Sequence, residues 1–247
     1  MSEEVVKIGI IGAGNIGGTL TRRLTALGHQ VWVASSRGRA PRAPRPPGST
    51  EHTVADLARE TGATEVTVEE AARGDMVIVT IPLKNIPGLP AGLFSRTPAS
   101  AVVVDTGNYY PRQRDGRIDE LEEGMLESRW VERQLGRPVV KAFNNIQAQH
   151  LAERGRPKGS PERIALPVAG DGAAAKAIVM RLVDQLGFDP IDAGGLDESW
   201  RQQPGTPVYT SDLDANGVRR ALVEAKRERS PEWRATEHNP GTFTAPA

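Results

Sequence analysis

The sequence predicts an α/β fold built on a doubly wound parallel sheet. Three observations carry that prediction: short apolar runs ending in glycine or polar residues, amphipathic stretches between them, and a regular alternation of the two along most of the 247 residues. Runs of this kind suit strands buried on both faces of a parallel sheet.

"VVKIGII" (Val5 to Ile11) reads as the first strand. A helix is expected after it, because Ile16, Leu20, Leu24 and Leu27 form one apolar stripe while Arg22, Arg23 and Thr25 face away, and Gly28 ends the run. "QVWVAS" is strand two. "RGRAPRAPRPPGST" (Arg37 to Thr50), with four prolines and four arginines and no periodicity, reads as a solvated loop. "TVADLARE" and "TVEEAARG" each place threonine three residues before an acid, the pattern of a capped helix start. "DMVIVTIP" (Asp75 to Pro82) and "AVVVDTGN" (Ala101 to Asn108) are further strands.

From about Gly124 the pattern changes. "RPVVKAFNNI" and "RIALPVAG" read as strands, "DGAAAKAIVMRLVDQLG" as an amphipathic helix ended by Gly187, and "FDPIDAGGL" as a strand and glycine turn. A last helix is expected around Val218 to Arg227. The expected division is a nucleotide-binding domain over residues 1–137 and a smaller C-terminal α/β portion over 138–247, serving the acceptor side and dimerisation, with a flexible Pro/Gly-rich tail from about 230.

Composition excludes several functions. The 31 basic and 31 acidic residues cancel, so no global field recommends nucleic acid or an anionic membrane as partner. There is no cysteine, and His29, His52, His150 and His238 lack ligand-like spacing, which argues against a metal centre. The acidic start "MSEEVVKIGI" does not resemble a secretion signal and no apolar run is long enough to span a bilayer, so a cytoplasmic protein is expected.

Gly12-x-Gly14-x-x-Gly17 falls between the first strand and the first helix. In that context Gly12 permits a tight turn, Gly14 lets a pyrophosphate approach the backbone, and Gly17 lets helix and strand pack closely; Asn15 and Ile16 complete the turn. This is the fingerprint of a Rossmann-type dinucleotide site. NAD sites hold the ribose with an acid at the end of strand two, but here the chain reads Ala34-Ser35-Ser36-Arg37-Gly38-Arg39. Hydroxyls and a guanidinium suit a 2′-phosphate instead, so the expected cofactor is NADP(H), held by Ser35, Ser36 and Arg37. Thr80, Ile81 and Pro82 are expected along its path at one strand end, and Thr106, Gly107 and Asn108 at another.

No convincing acid or base accompanies the fingerprint. His29 lies in the turn before strand two, and Lys141 reads as a strand-edge charge. Tyr109 or Tyr110 could line a cleft, and no catalytic residue is assigned. Transfer of hydride to a flavin-like ring asks little acid–base work of the protein, and the small neutral segments "AFNNI" and "DAGGL" suit such a partner.

The segments "IGIIGAGNIGGTLTRRLTALGHQVWVASSRG", "DMVIVTIP", "VVKAFNNI" and "LPVAGDGAAAKAIVMRLVDQLGFDPIDAGGL", in this order, resemble the coenzyme F420-dependent NADP reductases and their bacterial relatives. The resemblance implies an NADP-binding Rossmann domain, a homodimer, and hydride exchange between NADPH and the deazaflavin F420. By the same resemblance Ala142, Asn144 and Asn145 would flank the nicotinamide and the deazaflavin, together with Thr80 to Pro82. Tyr109, Tyr110, Trp200 and Arg201 are candidates to line a different acceptor pocket, although Trp200 equally fits a buried aromatic. The competing acceptors are a free flavin, a quinone, an imine or a ferric chelate. A non-catalytic NADP(H) sensor is also consistent with the missing acid and base, and a β-hydroxyacid dehydrogenase would want a lysine in the cleft.

Overall fold

In the computed structural model, residues 6–36 and 53–247 are described. Six strands make one parallel sheet in the order β3-β2-β1-β4-β5-β6: β1 (Lys7–Ile11), β2 (Gln30–Ala34), β3 (Thr64–Glu65), β4 (Met76–Val79), β5 (Val102–Asp105) and β6 (Val139–Lys141). This is the Rossmann order, with the chain reversing direction between β1 and β4. A second pair, β7 (Ala165–Val168) and β8 (Asp189–Asp192), is also parallel and meets the main sheet through an antiparallel bridge between Lys141 and Ala169.

Alternation along the strands supplies two cores. Ile8, Ile10, Val31, Val33, Met76, Ile78, Val102, Val104 and Val140 face one side, and Ile11, Val77, Val79, Val103 and Val139 face the other. The first side is covered by helix α1 (Asn15–Ala26) through Leu20 and Leu24, and by Leu166, Val179, Val183 and Phe188 from the C-terminal portion. The second is covered by helix α3 (Val68–Ala71), helix α5 (Glu127–Leu135) with Trp130 and Val131, and the segment containing Leu196. A third, smaller cluster joins Ile191 and Val208 to Val218 and Leu222.

The local signals explain most boundaries. Helix α2 (Val54–Thr61) and helix α3 both begin with complete capping boxes: Thr53 with Asp56, and Thr67 with Glu70. Short helices α4 (Asp119–Glu122) and α6 (Ala148–Glu153) precede the long helix α7 (Ala173–Gln185). Helix α8 spans Ala215–Glu224, three residues upstream of the expected start, because the Asp214 carboxylate accepts from Gly217 N at 2.7 Å and fixes the N-cap there.

Two expectations for α1 are corrected. Leu27 closes the stripe in sequence but lies past the helix and is 38% exposed. Arg23 does not face away; its guanidinium donates to the carbonyls of Leu151 (2.6 Å) and Leu186 (2.7 Å), tying α1 to the ends of α6 and α7. Those carbonyls are orphans of helix C-termini, which a cation satisfies well. Trp200 is buried, as one of the two readings of it had it.

Candidate dinucleotide site

The glycine turn is locked from both sides. Gly12 N donates to Ala34 O (2.9 Å) and Thr80 N to Ile11 O (2.9 Å), while the Thr80 hydroxyl donates to Gly12 O (2.6 Å). Gly12 has φ +108°, a conformation that favours glycine. At Gly17 an added Cβ would stand 1.9 Å from Gly12 O and 2.4 Å from the Thr80 hydroxyl, so only glycine lets α1 approach the strands here. A Cβ at Gly14 would meet nothing within 4 Å. It would project into open space above the turn, where a pyrophosphate needs to come close to the backbone.

Gly14 is also the N-cap of α1, with no side-chain cap and no acid in the first turn. The first amides of a twelve-residue helix are therefore available to an anion, and the helix dipole favours one. Over them lies a cleft of about 940 Å³. Its walls are the turn itself with Asn15, the end of β2 (Ser35, Ser36), the start of α2 (Thr53, Val54, Leu57), the segment after β4 (Thr80, Ile81, Pro82, Asn85), and one face of α6 (Ala148, Gln149, Ala152). Thr19 and Arg22 enter it from α1.

Among the described residues that line the cleft, Arg22 is the only ionisable side chain. The remaining lining is hydroxyl, amide, glycine and aliphatic. Nothing there is placed to take or give a proton in the way of a dehydrogenase acting on an alcohol.

The sequence expectations divide accordingly. Gly12, Gly14, Asn15, Ser35, Ser36, Thr80, Ile81 and Pro82 all line this one cleft. Gly17 supports the turn from beneath, and Ile16 packs against the main core beside it. Arg37 lies outside the described residues, as does the whole of the Pro/Arg segment to Thr50. Sequence reasoning missed Thr19, Arg22, Asn85 and Gln149 as lining residues and saw Thr53 only as a helix cap. For Arg22 a signal existed: it lies four residues after Gly18, one helix turn along the same face.

Ala142, Asn144 and Asn145 are not among the cleft's walls. Ala142 is fully buried in the main core. Asn144 is buried in an amide network, donating to Asn108 Oδ1 (3.0 Å) and Gln202 O (2.6 Å) while its own Oδ1 accepts from Gln202 Nε2 (3.0 Å). Asn108 donates in turn to Asn144 O (2.7 Å) and Tyr110 Oη (3.2 Å). Asn145 O accepts from Thr210 N (2.9 Å). Thr106 donates to Val79 O, and Gly107 N to Asp105 Oδ1, so the end of β5 is likewise committed inside the protein.

The aromatic residues after β5 are held by the chain itself. Tyr109 is fully buried, its hydroxyl accepting from Ile118 N and its amide donating to the buried carboxylate of Glu127. Tyr110 shares a hydrogen bond with Tyr209 through their hydroxyls and carries Trp233 and Phe243 of the C-terminal segment against its ring. Arg201 lies over Trp200 at 4.4 Å and donates to Leu222 O.

Lys141 is not a strand-edge charge. Its ammonium donates to Asp105 Oδ2 at 3.0 Å and to Gly107 O, and both Lys141 and Asp105 are 1% exposed. Asp105 also accepts from Ser128 Oγ (2.8 Å). The edge of β6 is covered by the Ala169 bridge and by Gln202, which converts an edge position into a core one. His29 is buried in the turn before β2, where its Nδ1 accepts from Val6 N (3.4 Å) far from the cleft's strand ends.

The sequence signature of the NADP oxidoreductase, coenzyme F420-dependent, family matches residues 7–109, the stretch from β1 through the end of β5. That match covers less than half of the 247 residues. The Escherichia coli K12 protein YjhV is 49% identical over 91 residues, covering 37% of this chain and 59% of YjhV, so the match spans less than two thirds of that relative. A hypothetical protein from Sinorhizobium meliloti, SMa0349, superposes with a TM-score of 0.67 at 28% identity, covering 85% of this chain and 95% of its own. A candidate F420-dependent NADP reductase from Arthrobacter sp. FB24 superposes with a TM-score of 0.58 at 22% identity, covering 78% and 87%. The family match thus ends at the buried Tyr109, just after β5, whereas the similarity to the S. meliloti structure covers 85% of the chain. No helix among the described residues is long and apolar enough to cross a membrane. Among the described residues no cluster of His, Asp and Glu could hold a metal ion.

Proposed function

We propose that this chain is an NADP(H)-dependent oxidoreductase that exchanges hydride between NADPH and a flat, flavin-like acceptor such as coenzyme F420. The observation that carries this reading is the cleft lining: a helix N-terminus open to a pyrophosphate, and walls in which Arg22 is the only ionisable group among the described residues. A substrate that needs a proton moved by the protein finds no partner there, whereas a flavin-like ring handles its own protons.

The fit of the dinucleotide is physical. The volume of about 940 Å³ is of the size that ligand clefts have. The free amides after Gly14 would hold the pyrophosphate, Ser35 and Ser36 with Arg37 the 2′-phosphate, and Thr80 to Pro82 the nicotinamide side. The nicotinamide, when bound, supplies the hydride. The chain binds, orients and keeps water from the ring through Ile81, Pro82 and the alanines of α6.

The test is an anaerobic mixture of purified protein, NADPH and F420, followed by the deazaflavin absorbance. Bleaching that depends on protein supports the proposal; none over hours rejects F420, and the same assay with free flavin, quinone, imine and ferric chelate then finds or fails to find the acceptor. The lack of an acid or base among the described lining residues, Arg22 aside, favours one second reading, an NADP(H)-binding sensor. Turnover of any acceptor by the isolated protein disposes of it. On the family resemblance we also propose a homodimer, which sedimentation at several concentrations checks.

A further inference from the structure

Arg22 has a position that the dinucleotide fingerprint does not explain. It is the only ionisable side chain among the described cleft residues, and its guanidinium folds back along α1 so that Nη1 lies 3.4 Å from where a Cβ of Gly18 would be. It lines the same cleft as Ser35, Ser36 and Thr53, and beside it Leu57 of α2 comes within 3.9 Å of the same Cβ position of Gly18. Opposite it, Glu60 of α2 accepts from both Nε (3.1 Å) and Nη2 (3.0 Å).

That pair is bidentate but wet, with side chains 44% and 51% exposed. Ion pairs this exposed contribute little, so the fork can be given up at small cost. A phosphate dianion offers the same planar fork more charge and more acceptor oxygens than a carboxylate does. Among the described residues nearby, Arg23 is committed to the carbonyls of Leu151 and Leu186, and Asp56 to its capping box and to Arg59.

We infer that Arg22 is a specificity-determining residue for the 2′-phosphate of NADP(H), and that Glu60 is the counter-charge from which it is handed over. Binding of NADP draws the fork of Arg22 from Glu60 to the phosphate, so Glu60 competes with the phosphate for the fork. NAD, lacking the phosphate, leaves the pair closed. The inference rests on the NADP(H) reading above and adds to it a residue outside the β2 end.

The experiment is a pair of titrations, NADP and NAD, on wild type, Arg22→Ala, Arg22→Lys and Glu60→Gln, with the melting temperature of each variant as a fold control. Arg22→Ala is expected to weaken NADP roughly tenfold or more, the size of a lost charge-assisted hydrogen bond, and to leave NAD within about twofold. Arg22→Lys, which keeps the charge and loses the fork, is expected to fall between. Glu60→Gln is expected to tighten NADP by about two- to fivefold, as for release of an exposed ion pair. Equal losses for both dinucleotides in Arg22→Ala, or no loss for either, overturns the inference and leaves the NADP(H) reading standing. Wild-type protein that binds neither dinucleotide overturns both.

Discussion

The hydroxyl of Thr80, at the end of β4, donates to the carbonyl of Gly12 at 2.6 Å and so fastens the glycine turn to the neighbouring strand. The same oxygen lies 2.4 Å from where a Cβ of Gly17 would be, so one side chain sets both the shape of the turn and the closeness of α1. Replacing it by the isosteric valine, Thr80→Val, should cost about 1 kcal/mol of stability, the net worth of an ordinary hydrogen bond, and should weaken dinucleotide binding. Urea unfolding and an NADP titration measure the two effects; an unchanged affinity would show that the turn holds its shape without the clamp.

Gly14 and Gly17 should separate binding from folding. Gly17→Ala forces a methyl against Gly12 O, 1.9 Å away, and should destabilise by roughly 1–3 kcal/mol or more. Gly14→Ala meets nothing in the protein and should leave stability within about 0.5 kcal/mol. It should nonetheless weaken NADP by about tenfold, because the methyl occupies the approach of the pyrophosphate. A Gly14→Ala protein with wild-type affinity would place the ligand elsewhere.

Lys141 tests the dehydrogenase alternative from the side of stability. Its ammonium is enclosed with the Asp105 carboxylate, so Lys141→Met leaves a buried charge without its partner. The expected loss is about 3–5 kcal/mol in urea unfolding, and the double change Lys141→Met with Asp105→Leu should recover much of it. A Lys141→Met protein of normal stability but abolished turnover would instead mark this lysine as a participant in the reaction.

All three tyrosines of the chain are held protonated beyond the usual range. Burial is the largest cause in each; for Tyr110 the neighbouring Tyr209 adds to it. The sign follows: a folded pKa above the unfolded one of about 10 gives stability that is complete below pH 10 and is lost as pH rises further. The native protein should therefore develop tyrosinate absorbance only at a pH where the chain also unfolds, whereas urea-unfolded protein should titrate near pH 10. Native ionisation in the ordinary range would show the hydroxyls to be open to water.

The strands and the glycine turn were readable because their cause is local. Both faces of β1, β4 and β5 are buried, so every position except Lys7 and Asp105 at the strand ends is apolar, and a turn with φ +108° at Gly12 favours glycine. The capping boxes at Thr53 and Thr67 involve only four consecutive residues each, and they formed as read. Arg23 and Lys141 were misread for the opposite reason. Their partners, Leu151, Leu186 and Asp105, lie 128, 163 and 36 residues away, and nothing near either residue in the chain announces that it will be covered.

The site shows the same division. By itself the sequence determined that a glycine turn joins β1 to α1 and that no acid ends β2, because each depends on a few adjacent residues. The tertiary structure decided which residues meet across the cleft. It brought Thr53, Arg22 and Gln149 into one cleft with Ser35 and Ser36, and it sent Asn144 into an amide network with Asn108 and Gln202. Side-chain direction at a strand end is set by what packs over it. Here that cover comes from the C-terminal portion, at a sequence distance that no local pattern spans.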